Sequence, residues 1–152
     1  RECGLREIIT GFESPDADTL RRYNKGQSSG IYQKLTEILK REDIELTALF
    51  IVDPQYSVSD FIRLFRYIKK LGISLYTMSI MTPLKGTSDY EDKKHMLTAS
   101  DPGKFDFLHL VLPSRLPKWL FYALFYAGHL RLLRSGRIRK MIRELIFKAK
   151  ED

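Results

Sequence analysis

The sequence is poor in the residues that build redox and metal sites. Its 152 residues include one cysteine, Cys3, and three histidines, His95, His109 and His129, which lie far apart. A lone cysteine excludes an internal disulfide and a multi-thiolate metal site, and it is consistent with an intracellular, reducing setting. The histidines share no short ligand spacing, so we interpret each as a surface or partly buried side chain rather than a metal ligand.

Short catalytic and membrane-spanning patterns are missing as well. The chain contains no H-x-x-x-H, C-x-x-C or G-x-x-x-x-G-K-S/T pattern, and we identify no nucleophile elbow, so no independent metal, nucleotide or hydrolase site is predicted. The apolar run Trp119–Ala127 has nine residues, which is too short to cross a bilayer. The chain begins at Arg1 without an export signal, and we expect it to be a cytoplasmic segment of a longer protein.

Positive charge is concentrated near the end of the chain. The net charge is +7, and the last fifth carries a group of basic residues: Arg131, Arg134, Arg137, Arg139, Lys140, Arg143, Lys148 and Lys150. Such a group predicts an acidic partner, either nucleic acid or an anionic membrane surface. The aromatic stretch before it is either an interfacial helix near lipid or a set of core side chains. We favour the core for the aromatic residues and leave the role of the arginines open.

Three apolar runs of strand length predict three strands, at Leu5–Phe12, Leu46–Val52 and Ile73–Ile80. Helix signals separate them: a Ser14-Pro15 start with a stop near Gly26, a start at Ser28 or Ser29, and a start at Ser57 or Ser59 with a stop at Gly72. The second of these helices has apolar residues at helical spacing, namely Ile31, Leu35, Ile38 and Leu39. Strands that are apolar on both faces and alternate with helices predict a parallel α/β sheet.

The remainder of the chain has weaker signals. The polar stretch Gly86–Gly103 predicts an irregular excursion, and Phe107–Pro113 is a candidate further strand. From Leu116 onward the pattern predicts two helices that are split near Ser135-Gly136. We expect no separate strand-rich domain in this part of the chain.

Polar residues or prolines follow each predicted strand, as Glu13-Ser14, Asp53-Pro54 and Thr82-Pro83. Ligands of parallel α/β folds bind at the carboxyl ends of strands, so these residues are candidates for a shared site. The alternative is that they only cap helices and form turns. The residue types alone favour that alternative.

Several pieces, in order, carry a family resemblance: "GFES", "YNKGQS", "FIVDP", "DFIRLFRYIKKLGI" and "MTPLKGTSDY". Together they resemble the second half of a radical S-adenosylmethionine (SAM) core, over roughly residues 3–117. More narrowly, they resemble the subgroup with an N-terminal cobalamin-binding domain, which includes the anaerobic magnesium-protoporphyrin monomethyl ester oxidative cyclase and hopanoid-modifying enzymes. The trailing "FDFLHLVLP" and "FYALFYAGHLRLL" also resemble that subgroup's C-terminal extension.

The resemblance implies a fold and a set of site residues. Residues 1–113 would supply three parallel β/α units, the second half of a partial TIM-type (β/α)6 barrel, and residues 114–152 a basic, aromatic-rich helical extension. The implied SAM-binding residues end the three strands: Glu13, Ser14, Ile51, Val52, Met81 and Thr82. The first pair would face the ribose and methionine part, the second would pack on adenine, and the backbone of the third would approach the adenine ring.

The resemblance also implies a chemistry for a full-length parent. A reduced 4Fe–4S cluster would split SAM into methionine and a 5′-deoxyadenosyl radical, which abstracts hydrogen from a tetrapyrrole or lipid-like substrate in an oxidative cyclase or methyltransferase reaction. Cobalamin would be held by a domain outside this segment. The implied partners are the N-terminal half of the same polypeptide, a small-molecule or lipid-like substrate and, through the basic helices, a membrane surface.

Two departures limit what this segment can do. The family's Cys-x-x-x-Cys-x-x-Cys motif is missing, and Cys3 alone cannot hold a cluster, so we expect the isolated chain to be inactive. Tyr56 stands where many relatives have an acid after the fifth strand. Two alternatives stay open, a fragment of a transfer-RNA-modifying relative and a non-catalytic interaction module, although the lack of a strand-rich tail makes nucleic acid the less favoured partner.

Overall fold

A computed structural model describes residues 4–13 and 29–133 of the chain. Its strands are β1 (Glu7–Glu13), β2 (Glu45–Val52) and β3 (Leu75–Ile80), and its helices are α1 (Ser29–Arg41), α2 (Val58–Lys70), α3 (Ser88–Lys93) and α4 (Lys118–Leu133). Two short 3-10 turns follow α3, at Lys94–Met96 and Pro102–Lys104. The helices predicted after Pro15 and after Gly136 lie outside the described residues.

The three strands form one open parallel sheet in the order β1-β2-β3. All three predicted strands are confirmed, with starts that shift by at most two residues. The register runs from Glu7 opposite Glu45 to Gly11 opposite Leu49, and an irregularity at Phe12 then brings Glu13 opposite Phe50. The described part of the chain therefore has the predicted α/β fold class. Because the strands are parallel, their carboxyl ends lie at the same end of the sheet.

The two faces of this sheet are buried to different degrees. On one face, even-numbered side chains of β2 and β3 are buried: Ala48, Phe50, Val52, Tyr76, Met78 and Ile80. They form the core together with apolar residues of α1, α2 and α4. The odd-numbered side chains occupy the opposite face, where Ile51 is half-buried, Thr77 is exposed and Ile9 is 64% exposed. Helices among the described residues thus fill one face and leave the other, which we call the open face, uncovered.

Local signals explain where α2 begins and ends. Ser57 caps its start: the Asp60 N–H donates to the Ser57 hydroxyl at 3.3 Å, and the Ser57 N–H donates to the Asp60 carboxylate at 2.8 Å. This reciprocal capping box satisfies two backbone donors that the first turn would otherwise leave free. Gly72 follows the helix with a φ of 66°, a left-handed conformation that glycine adopts without steric cost.

Helix α1 buries a different set of side chains from the one its apolar spacing suggested. Tyr32 and Leu39 are buried, whereas Ile31 is 48% exposed and Ile38 is 46% exposed. Tyr32 stacks on Phe12 with ring centroids 4.4 Å apart, so an aromatic contact to β1 fixes the rotation of the helix. The exposed isoleucines lie on the side that this contact turns away from the core.

The prediction of a further strand at Phe107–Pro113 is wrong, because this segment forms bends and does not pair with the sheet as a strand. Phe107 has a φ of 64°, which is incompatible with an extended strand. The backbone bonds of the segment go instead to separate partners: the Leu110 N–H donates to the Tyr122 hydroxyl at 2.8 Å and the Val111 carbonyl accepts from Thr98 at 2.9 Å. The segment is therefore an irregular connector between the sheet and α4, in which Leu110, Val111 and Leu112 are buried.

Helix α4 confirms the first of the two helices predicted in the C-terminal part, and it packs tightly on β3 and α2. Phe121 and Phe125 are fully buried, and Gly128 allows the closest approach. A methyl group at Gly128 would overlap the end of Met78 and lie 2.8 Å from Cε1 of Phe65. The Tyr76 hydroxyl donates to the Gly128 carbonyl at 2.6 Å, so the same residue provides both space and an acceptor.

Replacing Gly128 by alanine should destabilise the protein even though alanine is the better helix former. Helix propensity alone predicts a gain of about 1 kcal/mol, whereas forcing a methyl group into a filled site costs about 1–3 kcal/mol. We expect the free energy of unfolding to fall in urea titrations. The neighbouring Ala127→Gly, at an exposed position, should lose only the propensity term, and a more stable Gly128→Ala variant would contradict the close packing.

The hydroxyl groups of Tyr76 and Tyr67 differ in whether they form a hydrogen bond. Tyr76→Phe loses the bond to Gly128, and we expect its free energy of unfolding to fall by about 1 kcal/mol. The Tyr67 hydroxyl is buried without a hydrogen-bond partner among the described residues, so Tyr67→Phe should be neutral or stabilising. Urea unfolding at neutral pH compares the two, and a larger loss in Tyr67→Phe would refute this assignment.

Tyr67 should also make stability depend on pH in the alkaline range. Burial, with a smaller effect from Tyr32, raises the pKa of Tyr67 from 10.0 to about 12. Between these values the unfolded chain loses the phenolic proton before the folded chain does, so stability is complete below pH 10 and falls as the pH rises toward 12. Thermal unfolding across this interval should show a flatter decline in Tyr67→Phe than in the parent chain; parallel declines would rule out the effect.

Candidate functional site

A cleft of about 740 Å³ lies at the carboxyl ends of β2 and β3. Its base is formed by Ile51, Ser79 and Met81, odd-numbered residues that continue the open face of the sheet. One wall comes from α3 and the turn before it, and the other from the connector that contains Phe107 and Pro113. The cleft therefore occupies the edge of the sheet where parallel α/β proteins bind ligands.

The lining combines an apolar base with polar groups at its border. Ile51, Met81, Leu84 and Phe107 provide apolar surface, and the polar lining includes Asp53, Gln55, Thr87, Asp89 and Lys93. Asp89 and Lys93 are joined by a salt bridge one helical turn apart along α3. This arrangement suits a flat apolar group whose edge carries hydroxyl or amino groups, because stacking and hydrogen bonding are satisfied in different parts of the cleft.

The strand alternation decides which sequence-predicted residues reach the cleft. Ile51 and Met81 line it, and Thr82 lines it while its hydroxyl donates to the Ile80 carbonyl at 3.0 Å. Val52 is fully buried on the helix-covered face and does not line the cleft. Its carbonyl accepts from the Met81 N–H at 2.9 Å, so Val52 holds the adjacent strand end in place.

Of the predicted pair Glu13 and Ser14, the structure describes only the backbone of Glu13. The backbone of Glu13 ends β1 opposite Phe50, two residues before β2 ends at Val52, so β1 stops slightly short of the other two strands. The side chain of Glu13 and all of Ser14 lie outside the described residues. The bulge-like irregularity at Phe12 immediately before them is of the type found where a strand end is re-aimed beside a site.

Phe107 is a cleft residue that sequence reasoning missed. It is 42% exposed and has a left-handed backbone, which costs a non-glycine residue about 1–2 kcal/mol. Two contacts hold it: its carbonyl accepts from the Ile80 N–H at 2.7 Å, and Asp106 accepts from the Leu108 N–H at 2.9 Å. The left-handed position fixes an aromatic ring at the cleft border, and no pattern in the sequence marked it.

Asp106 and His109 brace this turn. His109 Nδ1 lies 2.9 Å from Asp106 Oδ2, and the His109 N–H donates to Asp106 Oδ1 at 3.1 Å. The hydrogen bond from His109, followed by that from the Leu108 N–H, lowers the pKa of the Asp106 carboxyl below its ordinary value. Asp106 is therefore ionised when its carboxylate accepts the hydrogen bonds that hold the turn next to Phe107.

Helix α3 is the other feature that the sequence analysis missed, because Gly86–Gly103 was predicted to be irregular. The start signal is present in the sequence: the Thr87 hydroxyl accepts from the Tyr90 N–H at 3.2 Å, and Asp89 and Glu91 lie in the first turn. Helix starts commonly combine such a cap with acidic residues. This short helix supplies the polar wall of the cleft.

The described residues do not form a metal centre or a transmembrane segment. Within residues 4–13 and 29–133, no three histidine, cysteine, aspartate or glutamate side chains are grouped to hold a metal ion. No helix in this part combines the length and apolar character needed to cross a membrane.

The connector fixes the cleft to α4. The Gln55 amide donates to the Pro113 carbonyl at 2.7 Å, and the Arg115 N–H donates to the Pro54 carbonyl at 3.1 Å. These two bonds tie the chain before α4 to the turn that follows β2. The shape of the cleft therefore depends on α4 being docked.

Comparisons with known proteins match this chain to methylating enzymes. It is 30% identical over 118 residues to bacteriochlorophyllide d C-8(2)-methyltransferase of Chlorobaculum tepidum, covering 74% of this chain and 26% of that protein. It is 28% identical over 122 residues to hopanoid C-3 methylase of Methylococcus capsulatus, covering 80% and 24%. It is also 29% identical over 117 residues to bacteriochlorophyllide d C-12(1)-methyltransferase of C. tepidum, covering 75% and 25%.

The chain spans about a quarter of the length of these curated relatives. No family model matches it. Two of the relatives are named for methylating a bacteriochlorophyllide and one for methylating a hopanoid. The chain is distantly homologous, over part of the length of each, to methyltransferases of tetrapyrrole and hopanoid substrates.

Proposed function

We propose that this chain is part of a radical SAM methyltransferase, in which the cleft at the ends of β2 and β3 forms one side of the SAM pocket. The parent protein would act on a tetrapyrrole or lipid-like substrate. Support comes from the relatives, which are named as methyltransferases or a methylase, and from the motif order that resembles the second half of a radical SAM core.

The open face of the sheet is the observation that carries the proposal. A sheet of parallel strands is ordinarily covered on both sides, either by helices or by the interior of a barrel. Here the helices cover the even-numbered side, while Ile9 and Thr77 on the other side remain exposed. An N-terminal half that continues the sheet from β1 would enclose this face as a barrel interior, with the cleft at its carboxyl end.

The described cleft residues would bind the adenosine part of SAM. Ile51, Met81 and Phe107 offer apolar surface for a purine ring, and the hydrogen bond from the Thr82 hydroxyl to the Ile80 carbonyl fixes the strand end beneath it. Asp53 and Gln55 lie at the border, where ribose hydroxyls could be hydrogen-bonded. By resemblance, Glu13 and Ser14 would complete the ribose and methionine contacts from the end of β1.

The reductive chemistry would require residues outside this segment. When bound, the 4Fe–4S cluster supplies the electron that cleaves SAM, and cobalamin, where a domain holds it, would carry a methyl group. This chain has one cysteine, so it lacks the thiolates that such a cluster needs. Its own contribution would be binding, orientation and exclusion of water, and the isolated chain would be inactive.

Methyl transfer is the reaction type with the stronger support. The three relatives reported above are named for methylation, and none of those names describes oxidative cyclisation or RNA modification. We propose residues 1–113 as the barrel portion and residues 114–152 as a helical extension.

The proposal can be tested by SAM binding in the parent protein that contains this segment. Ile51→Ala should raise the Kd for SAM about tenfold, because it removes apolar contact at the base of the cleft. Glu13→Ala should also weaken binding. Anaerobic titration of the cluster-loaded protein gives the Kd, and release of 5′-deoxyadenosine on reduction reports cleavage.

Leu49→Ala provides a matched control. Leu49 lies on the same open face as Ile51 but does not line the cleft, so its replacement should change the Kd by no more than about twofold. Equal weakening by both variants would show that the face acts only through stability. A parent that neither binds SAM nor releases 5′-deoxyadenosine would overturn the proposal.

A further inference from the structure

Helix α4 has apolar residues on two opposite sides, and only one of these sides packs into the core. Phe121, Phe125 and Gly128 pack into the core. A second set of apolar residues recurs at helical spacing on the opposite side and is exposed: Trp119, Ala123, Tyr126, Ala127 and Leu130. We call this set the outer face.

The exposed apolar residues of the outer face lie on one side of the helix. Trp119 is 72% exposed, Leu130 60% and Tyr126 49%. The Tyr126 ring lies 6.1 Å from the Tyr122 ring and 6.2 Å from the His129 ring, measured between centroids. Contiguous apolar surface on a helix marks a binding surface more often than an isolated exposed residue does.

The charged residues of the sequence in and next to α4 are all basic. Lys118 and Arg131 lie at the two ends of the described helix. Residues 114–143 contain no aspartate or glutamate and eight basic residues: Arg115, Lys118, Arg131, Arg134, Arg137, Arg139, Lys140 and Arg143. A second copy of the chain would bring like charges together, whereas a partner with anionic groups beside apolar surface would be attracted.

We propose that the outer face of α4 docks on an anionic lipid surface. Tryptophan and tyrosine rings favour the boundary between headgroups and acyl chains, Leu130 and the two alanines fit the acyl side, and the basic residues attract anionic headgroups. Single-stranded nucleic acid also combines negative charge with flat groups, but aliphatic residues offer its bases no stacking surface. This inference is independent of the proposed SAM site.

Trp119 allows a direct test, because it is the one tryptophan of the sequence. Its fluorescence should shift to shorter wavelength when vesicles of phosphatidylcholine and phosphatidylglycerol are added to the full chain, and the protein should sediment with them. Vesicles of phosphatidylcholine alone should have little effect. Binding should weaken as the salt concentration is raised toward about 1 M, where charge interactions are screened within about 3 Å.

Variants locate the contact. Leu130→Glu should weaken vesicle binding about tenfold or more, because it places a charge in the apolar surface. Ile62→Glu makes the same change at another exposed helical residue, on α2, and should leave binding within about twofold. Circular dichroism of both variants confirms that the helices are intact.

Four results would overturn the proposal. They are equal binding to neutral and anionic vesicles, unchanged binding by Leu130→Glu, a fluorescence shift that depends on protein concentration without vesicles, and a shift produced by single-stranded oligonucleotide without vesicle binding. The third would assign the outer face to a second copy of the chain. The fourth would assign it to nucleic acid.

Discussion

The alternation of side chains along three parallel strands is the constraint on which the rest of this structure depends. Because successive residues point to opposite faces, the helices can cover only every second side chain, and here they cover the even-numbered ones. The odd-numbered face must then find another neighbour or remain in contact with solvent. The position of the cleft follows, since its base is the carboxyl end of that uncovered face.

The same alternation marks what the sequence could and could not predict. The apolar run that ends in Ile51-Val52 was sufficient to locate β2, but a continuous apolar run contains no information about which side chain faces the helices. The structure separates the two residues: Ile51 lines the cleft and Val52 is in the core. Strand positions and parallel order were thus predictable, whereas the orientation of each side chain required the packing partners.

Phe107 and α3 show two different reasons why sequence analysis falls short. A left-handed phenylalanine has no local signature, because the contacts that stabilise it come from Asp106 next to it and from Ile80 on a distant strand. Helix α3 did carry a signal, the Thr87 cap, but its six residues contain no buried apolar face. Periodicity detects helices that pack on a core, and α3 instead borders a cleft.

The space shared by Gly128 and Met78 has a consequence for how the sequence can change. The two residues belong to segments far apart in the chain, yet a methyl group added to one would occupy the volume of the other. A larger residue at position 128 therefore requires the Met78 side chain to move, a shorter residue at position 78 or a displaced helix. The sizes of the side chains at positions 128 and 78 should therefore be correlated among homologous proteins, with a larger residue at one position accompanied by a smaller residue at the other.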